Sequence, residues 1–369
     1  MPETTISRTN SRRENQLQFL RFVAFFCVFA DHADTWKFFE FPPLRGEQAV
    51  SFFLILGGLV TGYSYYGRDI QLGAKEICKH VWNKVRKIYP LYFFTTVLTL
   101  IYSGIPAMIV EQNYTGIGAL LKNLLCNLLL IQAWLPGNHL HFNGVGWYMS
   151  CMMFLYALNL PIMYLLNKVD KHPKRYVLFV FLLGSFMFGT AAFCYLTQSY
   201  DMSYWHLAFP PARMGEYLAG MVLGVMLRII KPQIQNGKIQ QIIFTIAEII
   251  AVIYWLKAGY SPGNYWRNYS VSWLIPNMVL LAVFTVGAGW VSQLFCWRPL
   301  VRLGDISFEC YLIHQIILKL YMFSNFIPET SQTGKIVSFL YCLFITLMLS
   351  SLLNPGKKNA SSKKLVVNT

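Results

Sequence analysis

Eleven apolar runs, each close to the roughly 20 residues that carry an α-helix across a bilayer, follow one another along the chain. They lie near residues 17–35, 48–66, 88–105, 118–134, 145–166, 176–197, 212–230, 240–256, 271–290, 306–325 and 336–353. Hydrophobic residues make up 55% of the chain and charged ones 13%, about half the roughly 25% charge of an ordinary soluble domain. Too little polar surface remains to coat a soluble globule, and the mean hydropathy is +0.43. Alternating period-two segments do not dominate, which sets a β-barrel aside. The sequence predicts an all-α polytopic membrane protein.

Its net charge of +15 would raise nucleic acid as a partner in a soluble protein, but the placement of the charges points to the lipid bilayer. If the fourth run crossed, the loop from Asn167 to Tyr176, with Lys168, Lys171, Lys174 and Arg175, would lie outside and every later basic loop would be inverted. That run also carries Lys122, Asn123, Cys126 and Asn127 at helical spacing. We read it as an amphipathic or re-entrant helix on the outer side. About ten crossings remain, with both termini cytoplasmic. Inside segments then hold 22 basic residues, outside segments six, and Arg21, Arg213 and Lys319 fall within spans.

No linker or internal repeat divides the chain. Residues 17–354 read as one transmembrane domain between cytoplasmic tails at 1–16 and 355–369. The first run reads as a retained span and not a cleaved leader, because acidic and His residues interrupt its end. The eight cysteines are scattered, mostly inside apolar runs, without Cys-x-x-Cys spacing. They read as small buried hydrophobes and not as a disulfide or metal framework.

Ionisable residues inside the runs are the chemical signal, since each is costly in lipid unless it faces a cavity or a partner. Arg21 and His32 are eleven residues apart, so one helical face carries both, about 16 Å apart along the axis. The plain alternative is that Arg21 snorkels to the cytoplasmic interface and His32 bonds a neighbouring helix. Asp31, beside His32, is a third catalytic candidate, although it points about 100° away and could equally cap the helix or face the interface. Lys84, Arg86 and Lys87 lead into the third run, as a positive-inside anchor or as a phosphate site. Arg213 and Glu216, at i and i+3, share a face as a self-neutralising pair or as part of a site at the depth of His32. His314 sits about 12 Å along its helix from Ile306, where a packing hydrogen bond is the commoner role.

Taken in order, these stretches resemble the membrane-bound acyltransferase family 3, bacterial integral-membrane enzymes that O-acylate carbohydrates. The resemblance is carried by Arg21-x10-His32, by AVSFFLILGGLVTGY (Ala49 to Tyr63), by KVRKIYPLY (Lys84 to Tyr92), by GVGWYMSCMMFLY (Gly144 to Tyr156) with Trp147 at its centre, by RMGEYLAGMVLG (Arg213 to Gly224) and most closely by PLVRLGDISFECYLIH (Pro299 to His314). It runs from about residue 16 to 350. Gly57 stands where the family often has Ser, Lys84 and Lys87 replace two arginines, and Met152 and Met153 stand where many members have Glu-Glu. The lysines keep the charge but lose bidentate geometry. A fused extracytoplasmic hydrolase-like domain is not expected.

The resemblance implies an acyl-CoA donor, most simply acetyl-CoA, as co-substrate with no bound cofactor, and a cell-surface or lipid-linked carbohydrate as acceptor, at a bacterial plasma membrane. Lys84, Arg86 and Lys87, with Arg302, suit the cytoplasmic entry of the phosphates. The segment from Ser103 to Gly144 and the aromatic stretch from Tyr260 to Trp266 suit sugar rings outside. His32 is the expected general base, with a covalent acyl-His as the alternative route. Arg21 would fix the donor or stabilise the developing thiolate, and Arg213 with Glu216 would order the outer half of the site. Two other classes fit the same charges: a carbohydrate transporter or flippase, although paired halves are not seen, and a structural subunit of polysaccharide machinery.

Overall fold

The computed structural model describes residues 14–35, 45–104, 116–168, 173–197, 202–234, 237–260, 271–324 and 331–354. Residues 1–13 of the N-terminal tail, the C-terminal tail, Lys37, Lys171, residues 105–115 of the outer segment and residues 261–266 of the aromatic stretch lie outside them. The described residues are helical, with no strand among them. In chain order they form α1 (Gln16–Thr35), α2 (Gly46–Tyr65), α3 (Ala74–Thr99), α4 (Gly116–Leu128), α5 (Trp147–Lys168), α6 (Pro173–Thr197), α7 (Met202–Leu207), α8 (Met214–Ile230), α9 (Lys238–Tyr260), α10 (Val271–Val286), α11 (Trp290–Phe295), α12 (Arg298–Asp305), α13 (Ser307–Ser324) and α14 (Gln332–Leu353).

Ten crossings were expected. Four of the described helices are long and apolar enough to cross by length and composition: α2, α5 with its leading turn, α9 and α14. The pair α12 and α13, bent by 59° at Ile306, makes a fifth if it counts as one span. Polar interruptions and short helices set several of the other described helices apart from these. Arg21, Asp31 and His32 interrupt α1, and the first half of α3 is the basic stretch around Lys84. At 1.5 Å per residue, α8 with 17 residues and α10 with 16 reach only about 25 Å, short of a hydrocarbon layer of about 30 Å. The thirteen residues of α4 reach about 20 Å.

The centre of the bundle is the α2–α8 pair. Gly58 and Gly62 on α2 face Gly220 and Gly224 on α8, and a Cβ on any of them would run into the other helix's backbone: Tyr217 and Met221 for the first two, Ile55 and Leu59 for the others. Two small-x-x-x-small faces therefore meet, which is how helices approach closely where no hydrophobic force drives them together. Gly304 of α12 makes the same kind of contact with the backbone of Gln18, seating α12 on α1. α1 packs against α2, α10, α12 and α13, so its polar face looks into the bundle.

Of the cysteines, Cys27, Cys126, Cys151, Cys310 and Cys342 are buried as expected, while Cys78 and Cys296 are exposed. Both lie outside the apolar interior, Cys78 on the basic part of α3 and Cys296 in the turn after α11.

Candidate functional site

A cavity of about 500 Å³ opens between α1, α2, α3, α5 and the start of α13. Arg21 lies on its wall, with Lys84, Tyr148, Tyr156 and Tyr311 around it. The break at Ile306 makes room for the last of these: Ser307 turns its hydroxyl back onto the Gly304 carbonyl (2.8 Å), and α13 restarts with Ser307, Phe308 and Tyr311 on the cavity.

The charge in this cavity is not neutralised locally. Among the described residues the Arg21 guanidinium donates only to Gln18 Oε1, at 3.4 Å, and has no carboxylate partner. Glu309, within its electrostatic reach, accepts from Asn354 instead (2.8 Å). Glu14, also on the wall, is held by Lys231 at 2.7 Å. A guanidinium without a carboxylate on a cavity wall has the chemistry to hold an anion.

Of the three basic residues expected to act together, the cavity takes only one. The Lys84 ammonium lies 5.8 Å from the Tyr156 ring centre, and Ile88, one turn on, lines the same wall. Arg86 is about 200° round the helix from Lys84, and both Arg86 and Lys87 are exposed and off the wall. Gly57 and Met152, two of the positions that depart from the resemblance, line the cavity side by side.

Further along α1, His32 meets α13. Its Nδ1 lies 3.0 Å from His314 Nε2, and its Nε2 lies 3.0 Å from Gln315 Nε2. His314 Nδ1 is 2.7 Å from the Tyr311 carbonyl and 3.2 Å from that of Cys310. Phe25 and Phe29, on the same face of α1, pack against the His314 ring. Asp31 turns elsewhere, with its carboxylate against Gly46 at the start of α2. The partner on His32 is thus another imidazole, 282 residues away, which no local spacing announces.

Arg213 and Glu216 form a buried ion pair at 3.0 Å, with Trp147 6.0 Å from the guanidinium. Arg213 also donates to the His206 carbonyl (3.3 Å). None of the three lines the cavity. They clamp the segment ahead of α8 to the start of α5, so Trp147 and the ion pair support the wall that carries Tyr148.

The sequence reading missed Tyr311 and Gln315, although their i, i+4 spacing was a usable signal for one face of α13. Eleven residues of α1 separate Arg21, on the cavity wall, from a paired imidazole inside a bundle of apolar helices, the setting of a membrane protein with a polar interior. The chain belongs to the acyltransferase domain family, whose model matches residues 14–355. It is 27% identical over 327 residues to Acyltransferase MdmB of Streptomyces mycarofaciens, a match covering 81% of this chain and 78% of that protein. No solved structure matches it. The protein is a membrane acyltransferase, which sets the transporter and structural-subunit readings aside.

Proposed function

We propose that this enzyme takes an acyl group, most simply acetyl, from cytoplasmic acyl-CoA and transfers it to a hydroxyl of a cell-surface or lipid-linked carbohydrate at the plasma membrane of a bacterium. The observation that carries the reading is Arg21, without a carboxylate partner among the described residues, in a cavity of about 500 Å³ whose wall residue Tyr311 packs on His314, which in turn meets His32. Arg21, about 16 Å along α1 from His32, and Lys84 hold phosphate oxygens of the donor. The tyrosines line the passage of the pantetheine arm. The carbohydrate enters from the opposite end of the bundle and presents its hydroxyl to His32.

The bonds balance as in any acyl transfer. The hydroxyl proton passes to His32 Nε2 as the oxygen attacks the thioester carbon, the carbon–sulfur bond breaks, and the thiolate leaves toward the cavity and takes up a proton from water, giving ester and free CoA. Acting as a base suits a neutral imidazole, which gives up the same proton at the end of the cycle.

The test uses the purified full-length protein in lipid nanodiscs, radiolabelled acetyl-CoA and a fraction of bacterial surface and lipid-linked glycans. Label appearing in the glycan is the expected result. A protein that neither transfers label nor binds CoA would overturn the reading.

A further inference from the structure

We propose that His314 is a positioning residue: its fixed tautomer holds the proton of His32 on Nδ1 and leaves Nε2 as the base, while the Gln315 amide occupies the place of the acceptor hydroxyl. This rests on the reading of His32 as general base and adds how that base is prepared.

Two backbone carbonyls fix the first ring. Tyr311 and Cys310 present oxygens to His314 Nδ1 at 2.7 and 3.2 Å. A carbonyl oxygen only accepts, so that nitrogen carries the hydrogen. In a neutral ring the other nitrogen, Nε2, then holds a lone pair. It faces His32 Nδ1 at 3.0 Å, and two lone pairs do not share such a distance, so His32 Nδ1 carries a hydrogen and donates. The lone pair of His32 is left on Nε2, where the Gln315 amide donates to it at 3.0 Å. The chain of donors starts from the helical backbone of α13, and the His32 ring is hydrogen-bonded as well to the Val28 carbonyl one turn back on α1.

The consequence for proton transfer is direct. When His32 Nε2 takes the hydroxyl proton, Nδ1 keeps its own and donates it more strongly to His314 Nε2, which stays neutral throughout. His314 neither touches the acceptor nor takes a proton from it. It orients the ring and stabilises the imidazolium, the task a carboxylate performs in many hydrolases.

Gln315 sits where the substrate must go. Its Nε2 fills the hydrogen-bonding direction of His32 Nε2, and its Oε1 is buried without a hydrogen-bond partner among the described residues. A hydroxyl donating to His32 Nε2 replaces that amide, and the carboxamide, once displaced, offers its free oxygen to a second hydroxyl of the acceptor. The chemistry that fits is a polyol with neighbouring hydroxyls.

The test reads tautomer and turnover separately. Full-length protein carrying ¹⁵N-histidine, in nanodiscs, is compared with His314→Ala, His314→Gln and Gln315→Ala by ¹⁵N NMR, with His32→Gln assigning the resonances. The wild type is expected to show His32 protonated on Nδ1, as is Gln315→Ala. His314→Ala should give a mixture of tautomers and lower kcat by about a hundredfold with the acetyl-CoA KM unchanged, and His314→Gln, whose oxygen accepts from Nδ1, should recover part of both. A wild-type His32 protonated on Nε2, or a His314→Ala variant with wild-type kcat, would overturn the proposal. An active His32→Ala enzyme would instead overturn the general-base reading, leaving the tautomer assignment to stand or fall on the spectra.

Discussion

Tyr311 and Tyr148 meet edge to face with their ring centres 5.5 Å apart, and Tyr311 is also 5.9 Å from the ring of His314. One side chain therefore stands between the cavity that holds Arg21 and the imidazole pair, and its hydroxyl is tied to the Val145 carbonyl at 3.3 Å. Removing it should let water reach the thioester. Tyr311→Ala is expected to raise hydrolysis of acetyl-CoA relative to transfer, whereas Tyr311→Phe, which keeps the ring, stays near the wild-type ratio. Counting label as free acetate against glycan ester checks this, and equal ratios in all three proteins would remove Tyr311 from the path.

Arg21 should dominate donor affinity among the basic residues. A hydrogen bond to a charged group contributes about 1.5–3 kcal/mol, or roughly 10- to 150-fold in Kd. Arg21→Gln is expected to weaken acetyl-CoA binding by that factor in calorimetry. Arg86→Gln, exposed and off the cavity wall, should change it by less than about threefold, in the range of a surface charge.

Donor binding should also fall at alkaline pH. Partial burial, and next the like charge of Lys87, hold the Lys84 ammonium below the usual lysine range. A lowered pKa means the charge is lost at a lower pH than in a free lysine, so affinity for phosphate is complete below that pKa and declines as pH rises through it. Lys84→Arg keeps its charge, and Lys87→Gln removes the repulsion; both should move the alkaline limb of Kd against pH upward. An unmoved limb in both variants would assign it to another group.

The contact between α2 and α8 leaves no room for side chains. Gly220→Val would drive a branched side chain into the backbone of Ile55, and overpacking of this kind costs about 1–3 kcal/mol or more. A lowered Tm in detergent and poor recovery of folded protein are expected. A wild-type Tm would show that the two helices separate freely.

How much of this was legible in the sequence depended on whether the information was local. The face shared by Arg21 and His32 follows from the helical repeat alone, and both side chains sit on the inward side of α1. Arg213 and Glu216 at i and i+3 are likewise an ion pair at 3.0 Å. What failed to show was anything set by packing between distant segments. Composition could not tell that α3 turns Lys84 inward and Arg86 outward, because both are cationic and either rotation of the helix suits a membrane anchor. Asp31 is the chain neighbour of His32, yet the contact belongs to His314, on a helix that starts at the bend at Ile306. The glycines at 58, 62, 220 and 224 were visible as spacing, but only their mutual approach gives that spacing a purpose.

Transfer of label with and without the imidazole tests the central claim most directly. Wild-type enzyme and His32→Ala, each loaded with radiolabelled acetyl-CoA, are mixed with acceptor glycan and the ester formed in a single turnover is followed. General-base catalysis contributes about 10²- to 10⁴-fold, so His32→Ala should form ester at least about a hundredfold more slowly while binding acetyl-CoA as well as the wild type. Ester formation at an undiminished rate in His32→Ala would contradict the account.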